Sequence, residues 1–309
     1  YVALSYCWGT LTEKDKAFLT TKSNIKARLS GLKLQNLPRT LQDAVRTTQA
    51  LGVDYIWIDS ICIIQDDTDD WEREAITMGK VYKHACFTIA ATNSSSSLDG
   101  FLHHRKPSAK ASLPFFFSVV QDIFPGITDV EAERGNFHFR YPVETGIIDH
   151  LSECDWKKRG WTLQEEILST RILSFTKDVI HFRCMRSEEV EASGYFGPLP
   201  LRFPALLADM EAMPFAKRLN GDSDYHYGWY EIIEDYSKRT LSYPGDKLAA
   251  VGGLAETFES LINDTYICGL WKSDLHRGLL WQSVSMSDIR GENGAPSWSW
   301  ASRDGSITW

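Results

Sequence analysis

A chain of 309 residues with 43% apolar residues can build a packed core, and its net charge of −8, with no basic stripe, excludes a nucleic-acid backbone as a partner. No apolar run approaches the roughly 20 residues that a membrane-spanning helix needs, and no signal peptide is present, so no membrane partner is expected. Six scattered cysteines (Cys7, Cys62, Cys86, Cys154, Cys184, Cys268) form no C-x-x-C pair. They read as buried reduced thiols of a cytosolic protein, with no metal site.

The run "YVALSY" at residues 1–6 is a first strand, followed by a turn at "CWGT". Pro38 opens a helical pattern in which Leu41, Ala44, Val45 and Thr48 share one face, and Gly52 is its stop. "VDYIWID" reads as a second strand ending at Asp59. A helix follows, with Trp71, Ala75, Met78 and Tyr82 on its apolar face and acids in its first turn, where the helix dipole favours them. "CFTIAAT" is a third strand, and "NSSSSLDG" a polar loop. Residues 102–150 read as an insertion, strand-like in part. "RGWTLQEE" at 159–166 starts a short helix, and "RILSFTKDVIHFRC" forms a hairpin around Thr176-Lys177-Asp178. Residues 187–200 are acidic, then rich in Gly and Pro, and mark a boundary. Helical patterns follow at about 202–213, 225–240 and 246–262, with Trp229, Ile232, Ile233 and Tyr236 on one face. "LLWQSV" and "PSWSWAS" close the chain as strand-like aromatic runs. A chain that opens directly in a strand and stops just after another reads as a piece of something longer.

Strand, helix, strand, helix, strand predicts a parallel sheet with helices on its faces. Ligands of such sheets bind beyond the carboxyl ends of the strands, where Cys7, Trp8, Asp59 and Asn93 fall. Asp59 could hold ribose hydroxyls there, or cap a turn or helix. A nucleophilic Cys7 would need a nearby base, and none is visible locally. Trp8 either lines a pocket or packs in the core. Arg159 either meets a phosphate bidentately or pairs at the surface with Asp155 or Glu166. The acidic run "DDTDDWERE" lacks the spacing and central glycine of a calcium loop and reads as a solvated face.

Five ordered blocks resemble the fungal heterokaryon-incompatibility (HET) domain: "YVALSYCWG" (1–9), "LPRTLQDAV" (37–45), "YIWIDSICIIQDD" (55–67), "MGKVYKHACFTIAA" (78–91) and "RGWTLQEEILSTRIL" (159–173). The later "EDYSKRTLSYPGDKLAAVGGLA" and "APSWSWAS" resemble the region that often follows that domain. The resemblance implies a cytoplasmic module of fungal non-self recognition whose activation leads to growth arrest or cell death. It divides the chain into a domain at 1–186, with the 102–150 insertion, and a mostly helical, Trp-rich region at 187–309 packed on it.

The HET domain is in turn distantly similar to TIR domains, which implies a flavodoxin-like α/β sheet. Some TIR domains cleave NAD+ at the nicotinamide–ribose bond with one helical glutamate. In that register "YVALSY" is similar to the first TIR strand, placing Ser5 at its end, and "WTLQE" matches the catalytic motif, with Trp161 and Glu165 in register. Glu165 is then the catalytic carboxylate, and Ser5, Cys7, Trp8, Asp59, Arg159 and Trp161 form the substrate set. NAD+ is the substrate, with no cofactor. TIR enzymes often need assembly, which implies a homo-oligomer on activation and an upstream recognition partner or domain. Read from the residues alone, Glu165 complements the helix dipole and Trp161 fills a core; it is the resemblance that brings the catalytic reading level with that one. Glu74, three residues after Trp71, is the rival glutamate. A non-catalytic signalling module, self-associating through a Trp-rich surface, is the alternative function.

Overall fold

The computed structural model describes residues 1–104, 110–116, 134–140, 154–185, 187–191, 196–197, 225–284 and 294–309. Strand β1 (Val2–Ser5) is an interior strand, flanked in parallel by β2 (Ile56–Trp57) and β3 (Phe87–Ala90). Its four residues are all buried, as an apolar strand covered on both faces must be. Part of the insertion pairs separately, β4 (Lys110–Phe116) running antiparallel to β5 (Arg134–Arg140). β6 (Arg171–Phe175) joins β3 in parallel. Beyond it β7 (Ile180–Cys184), β8 (Glu188–Val190) and β9 (Phe196–Gly197) are antiparallel, giving the order β2-β1-β3-β6-β7-β8-β9. The sheet is therefore mixed: parallel through β6, as the alternating pattern predicts, and antiparallel after the β6–β7 hairpin. β8 and β9 carry it past residue 186, so the boundary expected at 186/187 falls inside the sheet.

Alternation along β1 decides what each face meets. Val2, Leu4 and Tyr6 pack in one cluster with Leu41 and Ala44 of α2 (Arg39–Ala50), a helix that follows the short α1 (Ile25–Leu29). Pro38 precedes α2, and Gly52 (φ 73°) follows it in the left-handed conformation that ends a helix cleanly. Ala3 faces the other way, against Met78 and Tyr82 of α4 (Thr68–His84). α4 carries Asp69 and Asp70 in its first turn and Lys83 and His84 in its last, matched to its dipole. The second strand is shorter than its sequence suggests. Asp59 does not end it but starts a four-residue helix, α3 (Asp59–Cys62), its carboxylate accepting the Ser60 N–H at 2.6 Å.

The same face of the sheet carries α5 (Trp161–Leu168), and over it lies the C-terminal region. In α6 (Tyr225–Ser237), Trp229, Ile232, Ile233 and Tyr236 are buried, as their helical spacing requires. They join α7 (Gly252–Ile262), Trp271 and Trp300 in the largest apolar cluster. The tryptophans are mostly structural: Trp229 and Trp300 both donate to the Gly269 carbonyl, at 3.0 and 2.9 Å, and Trp298 at 41% is the exposed exception among the described residues. "PSWSWAS" is not a strand, because the Ser299 hydroxyl accepts the Ala301 N–H and turns the chain into a short 3-10 helix. The pattern at 202–213 lies outside the described residues. No described helix is long and apolar enough to cross a membrane. All six cysteines are free, and Cys62 and Cys86 are exposed rather than buried.

α4 and α7 cross at glycines. A Cβ on Gly253 would sit 2.8 Å from the Gly79 Cα, and a Cβ on Gly79 2.8 Å from the Gly253 Cα. Backbone cannot yield as a side chain can, so Gly253→Ala is expected to cost about 2–3 kcal/mol. Denaturant midpoints of the variant and parent check this.

Candidate active site

Ser5, at the carboxyl end of β1, points to the face covered by α5 and meets Glu165 there. The Trp156 indole donates to the Ser5 Oγ at 2.6 Å, so the serine's one proton is left for Glu165 Oε2, which accepts it. The Tyr82 hydroxyl, which donates to the Leu4 carbonyl at 3.0 Å, stands beside the same carboxylate. Glu165 is 7% exposed. Burial pushes its pKa up to about 7, against the opposing pull of Ser5, Arg159 and Tyr82 and with a further push from Asp59.

Arg159 reaches the cluster from the turn before α5. Its Nη1 donates to the Tyr6 carbonyl, and its charge is felt by Cys7, Glu165 and Asp59 together. It makes no surface pair with Asp155 or Glu166, because Lys158 takes the first at 2.8 Å and Lys157 the second at 2.6 Å. Asp59 accepts the Trp8 indole N–H at 2.8 Å, and burial raises its pKa. The Tyr6 hydroxyl donates to the Ser60 Oγ at 2.7 Å and closes that side. Cys7 is buried, and burial lifts its thiol to about 11 despite the nearby Arg159, so it is a neutral thiol at physiological pH.

Ser5, Cys7, Trp8, Asp59, Arg159 and Glu165 thus surround one buried polar cluster. Trp161 stands at its edge: the ring packs with Ala3, Met78 and Tyr82, while its indole donates to Asp246 at 3.2 Å and meets Trp71 edge-on at 6.3 Å. Glu74 lies two helical turns before Tyr82, and its charge is felt at the Cys62 thiol. Asn93 donates to the Phe101 carbonyl at 3.3 Å, holding the loop after β3. Sequence reasoning missed Trp156 and Tyr6 as members of the cluster. Tyr82 was legible only as a buried helix position, and Trp156 stands in a short polar stretch with no periodicity to mark it.

The adjacent Glu166 has the opposite fate. Its carboxylate meets Lys157 at 2.6 Å, Arg239 at 3.5 Å and Arg183 at 3.7 Å. Burial alone would raise its pKa, but the three cations overcome that and bring it down to about 2. Two neighbouring glutamates are therefore split, one poised to titrate near neutrality and one ionised down to strongly acid pH.

The split has a thermodynamic signature. A carboxyl with a raised native pKa favours folding when protonated. Its contribution is complete below the ordinary value of 4.5 and is lost as pH rises through about 7. Glu165→Gln, which cannot ionise, is expected to be more stable than the parent at pH 8, with the gain gone by pH 4. Melting temperatures across that range check it.

A family model described as heterokaryon incompatibility protein (HET) matches residues 1–165. No curated protein and no solved structure matches the chain.

Proposed function

The chain belongs to the heterokaryon incompatibility family, and from that premise we propose that it is an NAD+ glycohydrolase acting in fungal non-self recognition and programmed cell death. The observation that carries the reading is Glu165: a buried carboxyl of raised pKa, held by Ser5 at the carboxyl end of an interior parallel strand. Breaking the nicotinamide–ribose bond builds positive charge on the ribose, and an ionised carboxylate beside it stabilises that charge and orients a water or a hydroxyl. Nicotinamide leaves without strong acid assistance, so one carboxylate suffices. To Asp59 we assign the ribose hydroxyls, to Arg159 a phosphate and to Trp8 a ring, with Ser5 and Cys7 at the strand end. To Trp161, packed beside Tyr82, we assign a place in the wall of the same site. The 2-1-3 order of the first three strands, with β6 fourth, is that of flavodoxin-like folds, and it supports the TIR-like reading of this half. The antiparallel strands after β6 depart from it.

The carboxylate is sealed, so turnover requires opening, which we assign to self-association in the cytoplasm after an upstream recognition event. The same seal favours the second reading, a non-catalytic module that signals cell death through partners. Incubating the purified chain with NAD+ over a range of concentrations, and following nicotinamide, separates the two. Release that rises as the protein clusters supports the first reading. Folded protein that releases none, even when crowded, leaves the second.

A further inference from the structure

We propose that the cavity between the end of α6 and the turn at 303–306 is a binding site for a small molecule bearing a phosphate monoester. The cavity is open to solvent on one side and holds about 380 Å³, a volume in the range of small-molecule sites. It lies wholly outside residues 1–165 and is separate from the Glu165 cluster. Tyr236, Leu241 and Pro244 give it apolar walls, and its charged lining is Lys238, Arg239 and Lys247 against Asp304, three cations and one carboxylate, a net +2.

Lys247 is the central observation. It is 9% exposed, and burial lowers its pKa while Asp304 opposes that from a distance. Its ammonium donates to the Arg303 carbonyl and stands 5.7 Å from the centre of the Trp300 ring. No carboxylate among the described residues comes within ion-pair reach of it. A buried ammonium normally has a counter-charge, and this one has a carbonyl dipole, an aromatic face and a cavity. Lys238 stands exposed on the same wall, also without an ion pair among the described residues. Arg239 contributes less, since Asp235 at 2.7 Å and Glu166 at 3.5 Å already compensate it. Two ammonium groups with no carboxylate in ion-pair reach among the described residues, set against the single more distant Asp304, suit an anion of high charge, and a phosphate monoester carries close to two charges at neutral pH. The apolar walls accommodate the body it is attached to.

Isothermal titration of the whole chain with ribose 5-phosphate tests the site, with ribose and gluconate as the uncharged and carboxylate comparisons. Ribose 5-phosphate is expected to bind at one site per chain, and ribose not at all. Lys247→Gln should weaken binding roughly tenfold or more, the usual loss for one charge-assisted hydrogen bond. Lys238→Ala, on an exposed residue whose loss leaves folding intact, should weaken it several-fold, and Glu165→Ala should leave it unchanged. The proposal is overturned by the absence of saturable binding, by affinity unchanged from the parent in both lysine variants, by gluconate binding as tightly as the phosphate, or by loss of binding in Glu165→Ala.

Discussion

Glu165→Ala is expected to lower nicotinamide release from NAD+ by about 10²- to 10⁴-fold, the range for removing one positioned acid–base group, without unfolding the protein. Alanine removes a buried carboxyl whose ionised form burial disfavours, so the change relieves a cost at neutral pH while leaving Ser5 and Trp156 to pair with each other. The parent's rate should rise with pH through about 7, because the step needs the ionised carboxylate. Glu74→Ala should stay near the parent, since Glu74 is two turns away from Tyr82 along α4. Nicotinamide measured for all three proteins, each shown to be folded, checks the assignment. Loss in Glu74→Ala alone would move the chemistry to α4.

Glu166→Ala should do the reverse, damaging stability first. It takes the carboxylate from Lys157 and Arg183 and leaves Arg239 with Asp235 alone, two of the three cations being nearly buried. Removing one partner from a buried ionic network costs about 3–5 kcal/mol, visible as a lower denaturant midpoint. The pH dependence gives an independent reading. The native pKa of Glu166 is about 2 against an ordinary 4.5, so its contribution is complete above 4.5 and is lost as pH falls toward 2. The parent should lose stability across that acid window, and the variant should lose less.

How much of this was legible beforehand follows from the kind of signal each element carries. β1, α2 with its Gly52 stop, the Met78 and Tyr82 face of α4, the β6–β7 hairpin and the apolar face of α6 all have strong periodicity or turn chemistry, and the structure has them. Asp59 was misplaced because an apolar run predicts a strand but not where its carboxyl end turns into helix. β8 was missed because an acidic stretch reads as a solvated boundary, yet Glu188 is buried beside His181 at 3.9 Å. Arg159 and Glu166 were offered to each other by proximity in sequence. Apart from the nearby Lys157 on Glu166, their real partners, the Tyr6 carbonyl for one and Arg183 and Arg239 for the other, come from distant elements that no local pattern reports. The position of Glu165 over Ser5 followed only from alternation along β1, once the helices covering each face were known.

The glycine crossing of α4 and α7 has a mechanical meaning. At that point Leu168 of α5 also comes within 3.0 Å of where a Gly79 Cβ would be, and Gln164 Oε1 accepts the Gly253 N–H at 3.1 Å. Three helices meet there with no slack: one carries Tyr82, one carries Glu165, and one belongs to the C-terminal region. Close-packed joints of this kind do not flex in part. The C-terminal region is therefore seated in the same joint as the helix that carries Glu165, and α5 has no room at that point to shift independently of the α4 and α7 backbones.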